Sequence, residues 1–115
     1  MEATYKIINI KQDMPDSDYA IHIMQKEIAI SRFAHIPVVV VIHGYGSSGK
    51  GGTIKKRVQE ELKDMQHYGK IQAFVTGDQW TEHNEVCQKI LQICPDVELK
   101  EDLYLKNSGV TVILL

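Results

Sequence analysis

The stretch Val38-Val39-Val40-Val41-Ile42-His43-Gly44-Tyr45-Gly46-Ser47-Ser48-Gly49-Lys50-Gly51-Gly52 most constrains what this chain can fold into. It opens with β-branched residues in a run too short to be anything but a buried strand. It then enters a loop with five glycines in nine residues, Gly44 to Gly52, and a helical pattern opens at Thr53. Strand, glycine loop and helix start, in that order, set free backbone N–H groups beside the positive end of a helix. That is an anion site, with phosphate the expected anion. The same glycines also suit plain turns that need φ > 0.

The flanking segments read as alternating strands and helices. Thr4 to Ile10 is a strand with Tyr5, Ile7, Ile8 and Ile10 apolar. Asp16 or Ser17 is the N-cap of a helix reaching Phe33, with Ala20, Ile21, Met24 and Ile28 at helical spacing. After the loop, Ile54, Val58, Leu62 and Met65 make one apolar stripe on a second helix, with Gly69 as its C′ residue. Ile71 to Thr76 is a third strand. Val86, Cys87, Ile90, Leu91 and Cys94 mark a third helix, ended by Pro95. Leu103-Tyr104-Leu105 reads as a short extra strand, Asn107-Ser108-Gly109 as a turn, and Val110 to Leu115 as the last strand. Helices that follow strands imply a partly parallel sheet with helices packed on it.

At 115 residues the chain is one domain able to bury a core. Its longest apolar run, Ile36 to Ile42, is far short of a membrane span, and Met1-Glu2-Ala3-Thr4 does not open a signal peptide. Cys87 and Cys94 give no disulfide framework. A cytoplasmic location is expected. The net charge of −2 hides an asymmetry. Residues 50–70 hold six basic side chains against three acids, and residues 77–102 hold two lysines against seven acids. Lys55, Lys56 and Arg57 fall near the start of the second helix, where cations oppose the macrodipole. Their grouping points to a compensating anionic partner, or to a solvated face.

Two motifs compete for the glycine loop. Gly44-x-x-x-x-Gly49-Lys50 has the spacing of a nucleotide-binding P-loop, but Gly51 stands where that motif needs a Ser or Thr to ligate Mg²⁺. The frame His43-Gly44-Tyr45-Gly46, between the Val-rich strand and the Ile54-Lys55-Lys56-Arg57-Val58 helix start, resembles the Smr (small MutS-related) domain. The final Gly109-Val110-Thr111-Val112-Ile113-Leu114 is similar to that family's closing strand. The resemblance covers about three quarters of the chain and leaves 79–106 over as an insertion in a single domain. It implies a two-layer α/β sandwich on a four-stranded mixed sheet (β-α-β-α-β-β, as in the C-terminal domain of bacterial translation initiation factor three), to which the left-over segment of this chain adds an extra helix before the last strand. It also implies nucleic-acid binding and, in several members, endonuclease activity on DNA or RNA.

One departure bears on catalysis. Where the family's first strand ends in Leu-Asp-Leu-His, this chain reads Ile8-Asn9-Ile10-Lys11. An amide replaces the acid, and a lysine, which is no base at neutral pH, replaces the histidine. Any acid–base cleavage would rest on His43, with Lys11, Lys55 or the loop amides stabilising developing charge. A binder with a degraded active site fits better than an efficient nuclease. The expected phosphate or nucleic-acid contacts are Gly44, Tyr45, Gly46, Lys50, Gly52, Lys55, Lys56 and Arg57. Tyr45 serves either to stack on a base or to pack under the loop. No cofactor is called for, and a divalent metal is compatible. His83, Cys87 and Cys94 share a helix face, but without a second ligand pair they read as packing residues. The acidic segment 79–106 covers a sheet edge or offers a surface to a protein partner; the latter is the competing function, a non-catalytic interaction module on the same fold.

Overall fold

Tyr5–Asn9 (β1) and Val38–Ile42 (β2) run parallel, with Tyr5 opposite Val38 and Asn9 opposite Ile42. A parallel pair needs a crossover, and Ser17–Phe33 (α1) supplies it. In this computed structural model residues 5–11, 16–44 and 49–115 are described, the backbone alone over 49–53. Gly49–His67 (α2) leads from β2 to Ala73–Thr76 (β3), and Val110–Leu114 (β4) inserts between β2 and β3, antiparallel to both. The sheet order is β1-β2-β4-β3, a four-stranded mixed sheet. β2 and β4 are the central strands. The unbroken apolar run of β2, and that of β4 interrupted only by buried Thr111, are what strands buried on both faces require.

The helices form where stripe and cap coincide. Asp16 caps α1, its carboxylate accepting the Tyr19 N–H at 2.8 Å. Ala20, Ile21, Met24 and Ile28 then face the sheet. α2 buries Ile54, Val58, Leu62 and Met65 beside them, against Ile8, Val39, Val41 and Ile113. It begins at Gly49, four residues before the expected Thr53. Each glycine in a helix costs about 1 kcal/mol relative to alanine, so propensity assigns 49–52 to the loop; burial of the stripe that follows outweighs it. Lys55, Lys56 and Arg57 therefore stand about 9 Å along the helix and not in its first turn. At the far end Gly69 adopts φ 76°, its N–H bonding Gln66 O and that of Lys70 bonding Met65 O. This is the double closure of a left-handed C′ glycine.

The segment after β3 differs most from expectation. Gly77–Gln79 is a 3-10 turn, Glu85–Ile93 (α3) follows with Asn84 as its N-cap, and Val97–Lys100 (α4) is a single turn of helix. Trp80, Cys87, Ile90, Cys94, Val97 and Leu103 pack on Val38, Val40, Val75, Val112 and Leu114. The segment thus covers the second face of the sheet, not an edge, and adds a layer to the α1–α2–sheet sandwich. Trp80 anchors it, 3% exposed with its Nε1–H donated to Glu98 at 2.8 Å. Leu103–Leu105 is a 3-10 turn, not the extra strand. Left-handed Asp102 and Lys106, φ 54° and 57°, close it at both ends and forbid an extended run. Cys87 and Cys94 are buried free thiols, as packing residues should be; burial raises both pKa values, that of Cys94 to about 11. His83 lies exposed beside Glu82, away from them.

Candidate functional site

The carboxyl ends of parallel β1 and β2 meet the N-terminal end of α2, the crevice where open α/β sheets bind ligands. Lys11 follows β1 and Gly44 follows β2. Gly44 has φ 87°, and a Cβ added there would stand 3.5 Å from the Lys11 Cδ. The topology therefore brings these two sequence-distant residues together. They line a cleft of about 200 Å³ with Ile42, Lys100, Glu101, Asp102, Asn107, Gly109 and Val110. The contribution of 100–102 and 107–110 was not legible in the sequence. Its one local signal is the Asn107-Ser108-Gly109 turn, whose Asn107 side chain accepts the Gly109 N–H at 3.0 Å and so shapes the cleft wall.

His43 does not face the cleft. It is 1% exposed. Nδ1 lies 2.9 Å from Gly44 O, and Nε2 lies 2.8 Å from the Thr111 hydroxyl. A carbonyl oxygen only accepts, so Nδ1 carries the proton and Nε2 accepts from Thr111. Burial holds the imidazole pKa below its usual 6.5, against the Gly44 bond that pulls it up and together with the Lys55 charge that pushes it down. The result is a neutral histidine with both nitrogens occupied, a strut under the loop. The expectation of a ligand-facing acid–base His43 is corrected on this geometry.

The phosphate contacts also change. The N–H groups of His43 and Gly44 both bond to Gly109 O at 3.0 Å, so the Gly44 amide ties the loop to β4 and is not offered to a ligand. Arg57 donates to Asp18 at 2.6 Å and to the Ser17 hydroxyl at 3.4 Å. The Lys55 ammonium lies 3.9 Å from Asp78. The anionic partner expected for this cluster is thus in large part the protein's own carboxylates. Lys56 is exposed, with no ion-pair partner among the described residues. Tyr45 and Gly46 lie outside the described residues, and Lys50 and Gly52 are described only as backbone in the first turn of α2. No group of three or more His, Cys, Asp or Glu converges on a metal position among the described residues. Thr76 pairs across the sheet with Thr111, and its hydroxyl is buried with no hydrogen-bond partner among the described residues.

The architecture has a counterpart of known structure. The Smr domain of Thermus thermophilus MutS2 superposes with a TM-score of 0.59 over 96% of this chain and 96% of that one, at 14% identity. The fold is Smr-like. No protein-family model matches the chain, and no curated protein matches it in sequence. Within the Smr-like fold, Asn9 and Lys11 occupy the end of the first strand and His43-Gly44 the end of the second, in adjacent register. No helix among the described residues is long and apolar enough to cross a membrane.

Proposed function

We propose that this Smr-like domain binds nucleic acid at the cleft beside the glycine loop and does not cleave it. The observation that carries the binding is the Lys11 side chain lying against Gly44 where two parallel strands end and α2 begins, in a cleft that Lys100, Glu101 and Asp102 also line. The Lys11 and Lys100 ammonium groups suit a phosphate, and the Glu101 and Asp102 carboxylates that share the lining offset part of that attraction. Cleavage lacks its parts: Asn9 is no acid, Lys11 stands where the family's first strand carries a histidine, and the Nε2 lone pair of His43 is taken by Thr111. A second reading rests on the exposed Leu99, Tyr104 and Leu105 of the acidic segment, a surface for a basic, apolar protein partner.

The test is a gel assay against structured RNA and supercoiled DNA, with wild type beside Lys11→Glu. A shifted band at low salt that fades steeply with added salt, weaker in Lys11→Glu and without cleavage products, is expected. Cleavage by the wild type would overturn the non-catalytic assignment. Absence of any shift at low salt would leave the protein-partner reading.

A further inference from the structure

At the opposite end of the molecule, the C-terminal halves of α1 and α2 leave a groove of about 370 Å³ between them. Exposed Ala29, over the buried Ile28 and Met65, gives it an apolar floor, Gln25 and Glu61 stand at one end, and Arg32 and Lys70 at the other. Gln25 donates to Glu61 at 2.5 Å, whereas neither Arg32 nor Lys70 has an ion-pair partner among the described residues. The size and the mixture, apolar lining with a few placed polar groups, are those of a small-ligand site.

We propose that this groove seats one nucleotide of a single nucleic-acid strand, its base on the apolar floor and its phosphate between Arg32 and Lys70. Polarity sets the direction: the Glu61 carboxylate and Gln25 amide accept and donate to a base edge, and the two cations take the phosphate. Spacing agrees. Gln25 to Arg32 is seven residues along α1, about 10 Å, which separates the two ends as a base edge is separated from its own phosphate. A paired base keeps its edge and faces inside the duplex, so only an unpaired nucleotide enters between two helices. The strand has a continuation. Arg32 also lines a neighbouring cavity of about 270 Å³ with His35, Ile36, Pro37 and Leu115, and adjacent Phe33 is 89% exposed, an aromatic face for the next base. This contact rests on the domain's being a nucleic-acid binder, but it lies far from the Lys11 cleft and is separable from it.

The experiment is fluorescence anisotropy of a labelled 12-nucleotide single strand over a salt series. Wild type is compared with Arg32→Ala/Lys70→Ala, with the charge-neutral groove filler Ala29→Phe, and with Lys11→Glu; circular dichroism checks each fold. The double variant should bind about tenfold more weakly, with a salt slope lower by about 0.7, the share of the one phosphate held between Arg32 and Lys70. Ala29→Phe should weaken single-strand binding at unchanged charge. An Ala29→Phe variant that binds as wild type would overturn the seat for a base. So would displacement of the strand by poly-glutamate as readily as by unlabelled strand, which would mark the groove as a site for acidic peptide. Loss of binding in Lys11→Glu with both groove variants intact would overturn this inference and leave the loop cleft standing. The reverse pattern would keep the groove and remove the cleft. No binding by wild type at low salt would remove both.

Discussion

His43 is the residue whose role the tertiary structure most alters. Held between Gly44 O and the Thr111 hydroxyl, it joins the loop to the central strand, and its Nε2 depends on one partner. Thr111→Val keeps the shape and removes that partner, and should lower stability by about 1–3 kcal/mol. Thr76→Val, across the sheet, removes a buried hydroxyl that has no partner among the described residues, and should be neutral or raise stability by about 1 kcal/mol. The urea midpoint of Thr111→Val should fall while that of Thr76→Val holds or rises; a shared loss would refute the strut. The depressed pKa adds a pH signature. The folded state binds fewer protons at His43 than the unfolded state wherever the pH lies between the lowered folded value and 6.5. His43 therefore contributes its full stability above about pH 6.5 and loses it progressively as the pH falls toward the folded pKa. Denaturation of wild type and His43→Gln between pH 7.5 and 5 should show a steeper acid loss in the wild type. Parallel curves would mean that His43 titrates alike folded and unfolded.

Among the elements, two glycines separate backbone strain from steric exclusion. Gly69 closes α2 at φ 76°, with nothing within 4 Å of an added Cβ. Gly69→Ala should cost about 1–2 kcal/mol, the left-handed penalty alone. Gly77 has no such φ, but a Cβ there would meet Asn107 O at 1.7 Å, where the turn before β4 crosses the end of β3. Gly77→Ala must push two backbones apart and should lower the melting temperature by more than Gly69→Ala; equal shifts would refute the close approach. Both glycines stand out in the sequence as breakers, but only Gly69 declares its reason there, because a C′ glycine after an apolar stripe is a local pattern. The demand on Gly77 comes from a turn thirty residues away. The start of α2 shows the same limit, since the glycines of 49–52 are helical through packing that their own propensity opposes.

At the scale of the whole molecule, the sheet carries two cores, and the second depends on 79–106. Without that segment Val38, Val40, Val75, Val112 and Leu114 would face water. That is more apolar surface than a soluble monomer ordinarily exposes in one patch. Replacing 79–106 by a short linker should give a protein that aggregates or loses its cooperative melt; a soluble variant with a native-like circular dichroism spectrum and melt would refute the second core. The same segment brings Lys100, Glu101 and Asp102 to the cleft beside Lys11. A stretch that reads as an acidic addition thus belongs to the core and to the candidate interface.

The order of the four strands and of α1, α2 and α3, their apolar stripes, the Gly69 cap and an α1 cap at Asp16 or Ser17 were determined by the sequence alone. Each rests on contacts a few residues apart, which periodicity and cap chemistry record directly. Only the tertiary structure decided that His43 is a buried strut, that Arg57 and Lys55 meet Asp18 and Asp78, and that Lys11 reaches Gly44. Those outcomes depend on which distant side chains the sheet order and helix packing bring within about 4 Å, and on the burial that sets a proton's place. A single chain's composition and spacing carry no record of either.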